Sequence, residues 1–232
     1  MRSDLIFIIP ARAGSKGLPG KNYKLLGGKP LINYSLEFAR LFTTDDNICV
    51  TTNDENVIKA TMEIGYQPKF IRSEALCSDM ATSAAVIRDA LTYYNSKYKA
   101  VVLLQPTTPF RSHSHVVQAL ELLINDVRAV VGVKESKANP YFNLFEEDAK
   151  GNILISKDVG NYSRRQDVPR VYEINGALYV FTYEAAVSYN SIKDVGVIKK
   201  VVMGEEYSID IDTSLDWLKA EYYLKELLNE KY

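Results

Sequence analysis

Short unbroken apolar runs alternate along this chain with segments whose apolar residues recur at helical spacing, and that alternation restricts the fold more than anything else. Leu5–Ile9 holds no polar residue, as expected of a strand covered on both faces. Leu31–Phe42, starting just after Pro30, has helical spacing, and Ile48–Thr52 reads as the next strand. Asp54 is placed to cap a helix running to about Ile64, because its carboxylate can accept orphan backbone N–H groups. A helix over Thr82–Tyr94, a strand over Ala100–Leu104, a helix over Ser114–Ile124 and a strand over Ala129–Val133 continue the series. This predicts an α/β fold with a parallel sheet and helices on both faces.

The pattern changes near Glu135. From there to Ile174 the chain is richer in polar, aromatic and turn residues, with strand-like pieces at Tyr141–Glu146 and Asn152–Ser156. It reads as an insertion of about 135–175 with its own β structure, placed to cover a site or to pair with a second subunit. Core-like strands are expected again at Ala177–Phe181, Val195–Val202 and Tyr207–Ile211. Ser214 is expected to cap a last helix, with Trp217, Ala220, Leu224, Leu227 and Leu228 on one stripe. No repeat or low-complexity linker breaks residues 1–232, so a single domain is expected.

Composition removes several function classes. A net charge of −1 provides no basic field for nucleic acid, so any anion site must be built locally. No apolar stretch approaches the roughly 20 residues that span a bilayer, and the apolar run after Met1-Arg2-Ser3-Asp4 is too short for a signal peptide. A cytoplasmic protein is expected. Cys49 and Cys77, the two cysteines, make neither a disulfide framework nor a zinc cluster. His113 and His115 flank Ser114 with no third ligand evident, and read as helix-entry residues.

The first strand leads into Pro10-Ala-Arg-Ala-Gly-Ser-Lys-Gly-Leu-Pro-Gly-Lys-Asn22. Gly14, Gly17 and Gly20 allow the backbone to turn N–H groups toward a phosphate. From Leu5 to Leu36 there are five basic residues and no acid, and Arg12, Lys16 and Lys21 can neutralise a triphosphate. Ligands bind at the carboxyl ends of strands in such sheets. A Walker A loop would need glycine where Ser15 stands and Ser or Thr where Asn22 stands, and a dinucleotide fingerprint would need glycine at Arg12; neither motif is present. Far along the chain, Asp210 and Asp212 are two apart. On a strand they would share one face, with Ile209 and Ile211 on the other. Two carboxylates on one face suit a hard cation that also binds phosphate, Mg²⁺. Arg111 could serve the site or tie a loop through a salt bridge.

Taken together, these segments resemble the acylneuraminate cytidylyltransferases, also called CMP-sialic acid synthetases. Ile9–Asn22 resembles the family's signature. Arg72–Ser83 resembles its cytosine-side segment, Leu104-Gln-Pro-Thr-Thr-Pro-Phe-Arg111 its Gln-Pro-Thr-Ser-Pro-x-Arg motif, and Arg165-Gln with Asn175-Gly-Ala-Leu-Tyr179 its Asn-Gly-Ala-Ile-Tyr region. Ser208-Ile-Asp-Ile-Asp-Thr213 matches its metal motif. The resemblance implies a Rossmann-like, mostly parallel nucleotide-binding sheet flanked by helices, with a small β-containing dimerisation insertion that reaches over the partner's active site in a homodimer. It implies transfer of CMP from CTP to the anomeric hydroxyl of an acidic nine-carbon sugar, with pyrophosphate leaving and Mg²⁺ as cofactor.

By position, the resemblance assigns Arg12 and Lys21 to the CTP phosphates and Asn22 to the nucleotide, within a substrate loop that includes Ala11, Gly14, Ser15 and Lys16. Arg72, with Thr82 and Ser83, stands where the family reads cytosine. Gln105 stands where it touches the sugar, and Arg165, Asn175 and Tyr179 lie in its sugar region. Asp210 and Asp212 match its metal ligands, and Arg12, Lys21 and Asp212 are the implied catalytic residues. One departure stands out. Several sialic acid enzymes carry an arginine where this chain has Glu173, and a carboxylate does not pair with a sugar carboxylate. Either Arg165 or Arg170 then takes that role or the sugar sits differently, and the candidate acceptors are legionaminic, pseudaminic, KDN and Kdo-like acids, with Kdo ranked lower because the first loop of the Kdo enzymes differs from this one. A pyrophosphorylase for ordinary sugar phosphates and a silent nucleotide-binding module are the competing readings; the first leaves the Gln105 and Asp210-x-Asp212 segments without a role.

Overall fold

The computed structural model describes residues 1–14, 17–78, 80–95, 98–160 and 162–229. Among the described residues, ten strands and six α-helices follow in chain order: β1 (Leu5–Pro10), β2 (Leu25–Leu26), β3 (Lys29–Pro30), α1 (Leu31–Ala39), β4 (Ile48–Thr51), α2 (Glu55–Met62), α3 (Ser83–Tyr94), β5 (Ala100–Leu103), α4 (His113–Leu122), β6 (Ala129–Glu135), β7 (Phe145–Glu147), β8 (Ile153–Ile155), β9 (Tyr172–Thr182), α5 (Tyr183–Ser188), β10 (Ile198–Val202) and α6 (Ser214–Asn229).

Six strands form one sheet in the order β10-β6-β9-β5-β1-β4. β1 runs parallel to β4 and β5, and β10 parallel to β6, whereas β9 is antiparallel to both its neighbours. The sheet is therefore mixed but mostly parallel. The unbroken run in β1 follows from period 2 with both faces covered. Leu5, Phe7 and Ile9 pack under α1, α2 and α4, while Ile6 and Ile8 pack under α3 and α5. A third, smaller cluster joins Leu26, Leu31, Phe110, Ile209 and Ile211 to Trp217 and Ala220 of α6.

Caps explain most helix starts. The Asp54 carboxylate accepts from the Asn56 amide at 3.0 Å, and Thr82 caps α3 through the Ala85 amide. Ser112 and His115 form a capping box at α4, which is the helix-entry role expected of His115; His113 stacks on Phe42.

Four sequence expectations are corrected. Tyr207–Ile211 is not a strand: a 3₁₀ turn at Glu205–Tyr207 leads into an irregular run, and the Ile211 amide donates to the Thr107 carbonyl of a loop at 2.8 Å instead of to a ladder. The strand expected over Val195–Val202 is only Ile198–Val202, because the chain turns at Gly196 with φ +96°. The strand-like piece at Tyr141–Glu146 shortens to Phe145–Glu147, because the Asn139 carbonyl gathers the amides of Phe142, Asn143 and Leu144 into a turn. The cap of α6 is Thr213, not Ser214: Thr213 Oγ1 accepts from the Asp216 amide at 3.3 Å, and the Asp216 carboxylate accepts from the Thr213 amide at 3.0 Å. On α6, Trp217, Ala220, Leu224 and Leu227 face the core, while Leu228 is exposed.

Between β6 and β9 the chain leaves the sheet for residues 136–171, which carry the antiparallel pair β7–β8. The outer ends of β6 and β9 remain paired, through Val133 with Ile174 and Glu135 with Tyr172, and form a neck beneath this excursion.

Candidate active site

The loop after β1 and the run after Tyr207 meet at the carboxyl end of the sheet. They enclose an open cleft of about 540 Å³, lined by Pro10, Arg12, Gly17, Lys21, Asn22, Gln105, Pro106, Thr107, Asp210, Asp212 and Thr213. Two larger hollows, of about 620 and 610 Å³, lie elsewhere and contain none of the basic-loop or aspartate residues.

Lys21 is buried up to its ammonium, its side chain 10% exposed. Nζ donates to the Ile211 carbonyl at 2.8 Å and to Asp212 Oδ1 at 2.6 Å. Asn22 is buried behind it, donating to the Arg12 carbonyl at 3.3 Å. The Arg12 guanidinium contacts the carbonyls of Ala13 and Gly14 and lines the cleft. Ala11 is held by main chain: its amide donates to Thr51 O, and its carbonyl accepts from Thr52 Oγ1. Gly14 adopts φ +76° with open space around it. Ser15 and Lys16 lie outside the described residues.

The alternation expected of a strand survives without the strand. Ile209 and Ile211 are buried, while Asp210 and Asp212 face the cleft. Burial pushes the Asp210 carboxyl above its ordinary value; a hydrogen bond from Thr107 opposes this, and the charge of Asp212 adds to it. Asp216 does not compete for the cleft, because its carboxylate is held by the Thr213 amide and hydroxyl and stays below its ordinary value. Two carboxylates that crowd each other, opposite a basic loop, fit a divalent cation that keeps several waters and shares substrate phosphates. No cluster of three or more His, Cys, Asp or Glu forms a metal site among the described residues.

Gln105 lies on Gly176, which has φ +76°; a Cβ there would collide with the Gln105 amide oxygen and come within 3.2 Å of Thr108 Oγ1. Thus Arg12, Lys21, Asn22, Gln105, Asp210 and Asp212 come together. Ala11 and Gly14 belong to the same loop, whereas Arg72, Thr82, Ser83, Arg165, Asn175 and Tyr179 do not line the cleft. Arg72 is buried, donating to Thr51 Oγ1 at 3.1 Å and Thr51 O at 3.0 Å. Its pKa is lowered first by burial, with nearby Arg12 adding repulsion. Thr82, Ser83 and Tyr179 line a separate hollow of about 160 Å³ beside Phe181 and Tyr189. Asn175 points inward: Nδ2 donates to Ser208 Oγ at 2.9 Å, and Oδ1 accepts from the Ala177 amide. Arg165 is exposed on the excursion and donates to the Lys137 carbonyl.

Arg111 ties loops together, but through carbonyls and a hydroxyl and not through a salt bridge. It donates to the carbonyls of Ala177, Gln105 and Pro109 and to Ser35 Oγ, with no carboxylate partner among the described residues, and burial pushes its pKa down to about 9. Glu173 accepts from Ser136 Oγ at 2.5 Å and pairs with Lys134 at 3.2 Å, which keeps its carboxyl below the ordinary value. Thr107 and Thr213 are cleft residues that sequence reasoning left unassigned. Both sit inside segments already singled out, and Thr213-x-x-Asp216 is a legible capping box.

Comparison with known proteins agrees with this architecture. The family model described as Cytidylyltransferase matches residues 6–231. The chain is 30% identical over 223 residues to the CMP-N,N'-diacetyllegionaminic acid synthase of Legionella pneumophila, covering 94% of each. It is 32% identical over 220 residues to the N-acylneuraminate cytidylyltransferase of Escherichia coli O18:K1:H7, covering 94% of this chain and 51% of that one. Among solved structures, a CMP:2-keto-3-deoxy-manno-octonic acid synthetase complexed with CTP superposes with a TM-score of 0.70 at 17% identity, covering 97% of this chain and 99% of that one, and so shares the fold. The chain belongs to the cytidylyltransferase family, in the acylneuraminate (CMP-sialic acid synthetase) group, and is a nucleotidyltransferase.

Proposed function

We propose that the protein transfers CMP from CTP to the anomeric hydroxyl of a sialic-acid-type nonulosonic acid, releasing pyrophosphate. The observation that carries this reading is the cleft itself: a basic loop on one side, an aspartate pair on the other, and Lys21 joining them through Asp212 at 2.6 Å. The relative from Legionella is named for making a CMP-nonulosonic acid, which fits such a site.

In this reading Arg12 and Lys21 bind the CTP phosphates and offset charge that builds on the leaving pyrophosphate. Asp210 and Asp212 would hold Mg²⁺, which when bound screens phosphate charge and polarises the phosphorus under attack. Gln105, at the floor of the cleft, orients the sugar. Arg72 acts from behind the site, fixing the loop after β4 so that the base has a wall to meet. Glu173 is committed to Ser136 and Lys134 at the neck, so the sugar carboxylate is met by arginine from the excursion, Arg165 or Arg170.

That excursion exposes Phe145 and Ile153 on one face of its β7–β8 pair, an apolar surface suited to a second copy of the chain. A homodimer would also bring the partner's arginines toward the cleft. No helix among the described residues is long and apolar enough to cross a membrane, and we place the reaction in the cytoplasm, where CTP is available. The test is pyrophosphate release with Mg²⁺ and CTP across a panel of nonulosonic acids and Kdo, with ATP, GTP and UTP as controls. Release with CTP and one nine-carbon acid is expected. Release only with Kdo would change the sugar, and no release with any pair would overturn the reading.

A further inference from the structure

Gly17 lies in the basic loop at the point where that loop touches the aspartate run. A Cβ built on Gly17 would run into the carbonyl oxygen of Asp212 and lie 3.3 Å from its carbonyl carbon. Both are main-chain atoms, so no side chain can rotate away to make room. One of the two segments would have to move.

The aspartate run is the less able to move. The Ile211 amide is bonded to Thr107 O, its carbonyl accepts from Lys21, and its side chain is fully buried in the cluster under α6. Thr213 is held in the capping box of α6. Gly17, by contrast, is exposed on the loop. A side chain there would therefore lift the loop off the aspartates and leave the aspartates in place.

We propose that Gly17 is a positioning residue: its missing side chain lets the basic loop rest on the Asp212 main chain and so sets the separation between the Arg12 and Lys21 cations and the carboxylates of Asp210 and Asp212. This rests on the proposed function. A phosphate chain held by the loop and a cation held by the aspartates can be shared only when the two sides stand at one distance. Gly17 is thus a residue of coupling between nucleotide and metal, and its effect on either ligand alone is small.

The experiment compares Gly17→Ala with wild type by calorimetric titration of CTP, with and without saturating Mg²⁺, after thermal unfolding has checked the fold. In wild type, Mg²⁺ is expected to tighten CTP binding. In Gly17→Ala, CTP affinity without Mg²⁺ stays within about threefold of wild type, while the Mg²⁺-dependent gain falls at least about fivefold, because the coupling and not the separate sites has been changed. Turnover falls by about 100-fold, as a displacement of about 1 Å at reacting groups can cost, with a much smaller change in KM for CTP. An unchanged Mg²⁺-dependent gain in a folded Gly17→Ala would overturn the proposal, as would a variant that fails to fold, since Gly17 would then be a folding residue. Wild type that shows no Mg²⁺-dependent CTP binding would instead overturn the functional reading, and this inference with it.

Discussion

The Lys21 ammonium and the Asp212 carboxylate meet at 2.6 Å although 191 residues separate them in the chain. The pair is asymmetric: the Lys21 side chain is 10% exposed and the Asp212 side chain 68%. Lysine approaches from the protein interior, anchored a second time on the Ile211 carbonyl, and the carboxylate keeps a face toward the cleft. A pair with one partner in water adds about 1 kcal/mol or less to stability, so its value lies in placing a positive and a negative group at one edge of the same cleft.

Lys21→Met should therefore affect catalysis far more than stability. Removing one preorganised charge donor at a centre of developing charge costs about 10²–10³-fold in turnover. Steady-state kinetics with CTP, set beside a thermal melt, checks it; near wild-type turnover would remove Lys21 from the phosphate site.

Asp212→Asn should nearly abolish turnover and leave the fold intact, because the side chain is largely solvated and its amide analogue is isosteric. Chelation with EDTA should abolish wild-type activity, and added Mg²⁺ should restore it. Wild-type rates in Asp212→Asn under a Mg²⁺-dependent assay would remove the metal role.

Asn175→Ala should act on stability. Its buried amide bridges the bulge in β9 to Ser208, at the start of the run that carries the aspartates. Losing it strands buried polar groups, at a cost of about 1–3 kcal/mol. The midpoint of urea unfolding reads this directly, and an unchanged midpoint would mean that water replaces the amide.

Alkaline pH should unfold the protein through buried acids that the fold keeps protonated. Burial pushes Tyr34 and Tyr189 up from 10.0 to about 12 and Cys49 up from 9.0 to about 12, and it raises Tyr66, whose hydroxyl bridges Ile48 O and the Val50 amide. A raised pKa means that the native state binds more protons than the unfolded one. The stability these groups contribute is complete below about pH 9 and is lost as pH climbs toward 12. Melting temperature followed from pH 8 to 12, with tyrosinate absorbance, should show unfolding and ionisation together; a flat melting temperature to pH 12 would contradict it.

Phe145→Glu combined with Ile153→Glu should convert a dimer to a monomer in light scattering at micromolar concentration. Cross-strand pairing of Phe145 with Ile155 and of Glu147 with Ile153 puts both positions on one face of the β7–β8 pair, and a buried unpaired charge there is costly. A monomeric wild type would count against the dimer.

Much of the site was legible because its chemistry is local. Three glycines and a run of basic residues without acids mark a candidate anion loop, and Asp210-x-Asp212 keeps its alternation because Ile209 and Ile211 are buried between and beside them. The strands of the parallel part were legible for the same reason: a run apolar at every position, such as Leu5–Ile9, is stable only with both faces covered.

Tertiary structure alone decided the rest. Local pattern carries no direction, so the reversal of β9 between β5 and β6 could not be read from it. Nor could the irregular run at 208–213, whose amide at Ile211 found a loop carbonyl in place of a ladder. Arg72 and Asn175 have the residue types of a binding site, yet packing turns their polar atoms onto Thr51 and Ser208. The contact of Gly17 with Asp212, and the pairing of Lys21 with that same residue, depend on distances between segments nearly 200 positions apart along the chain. Residue type and spacing determine which groups can do chemistry; which of them share a cleft is set by how the helices and the sheet close over one core.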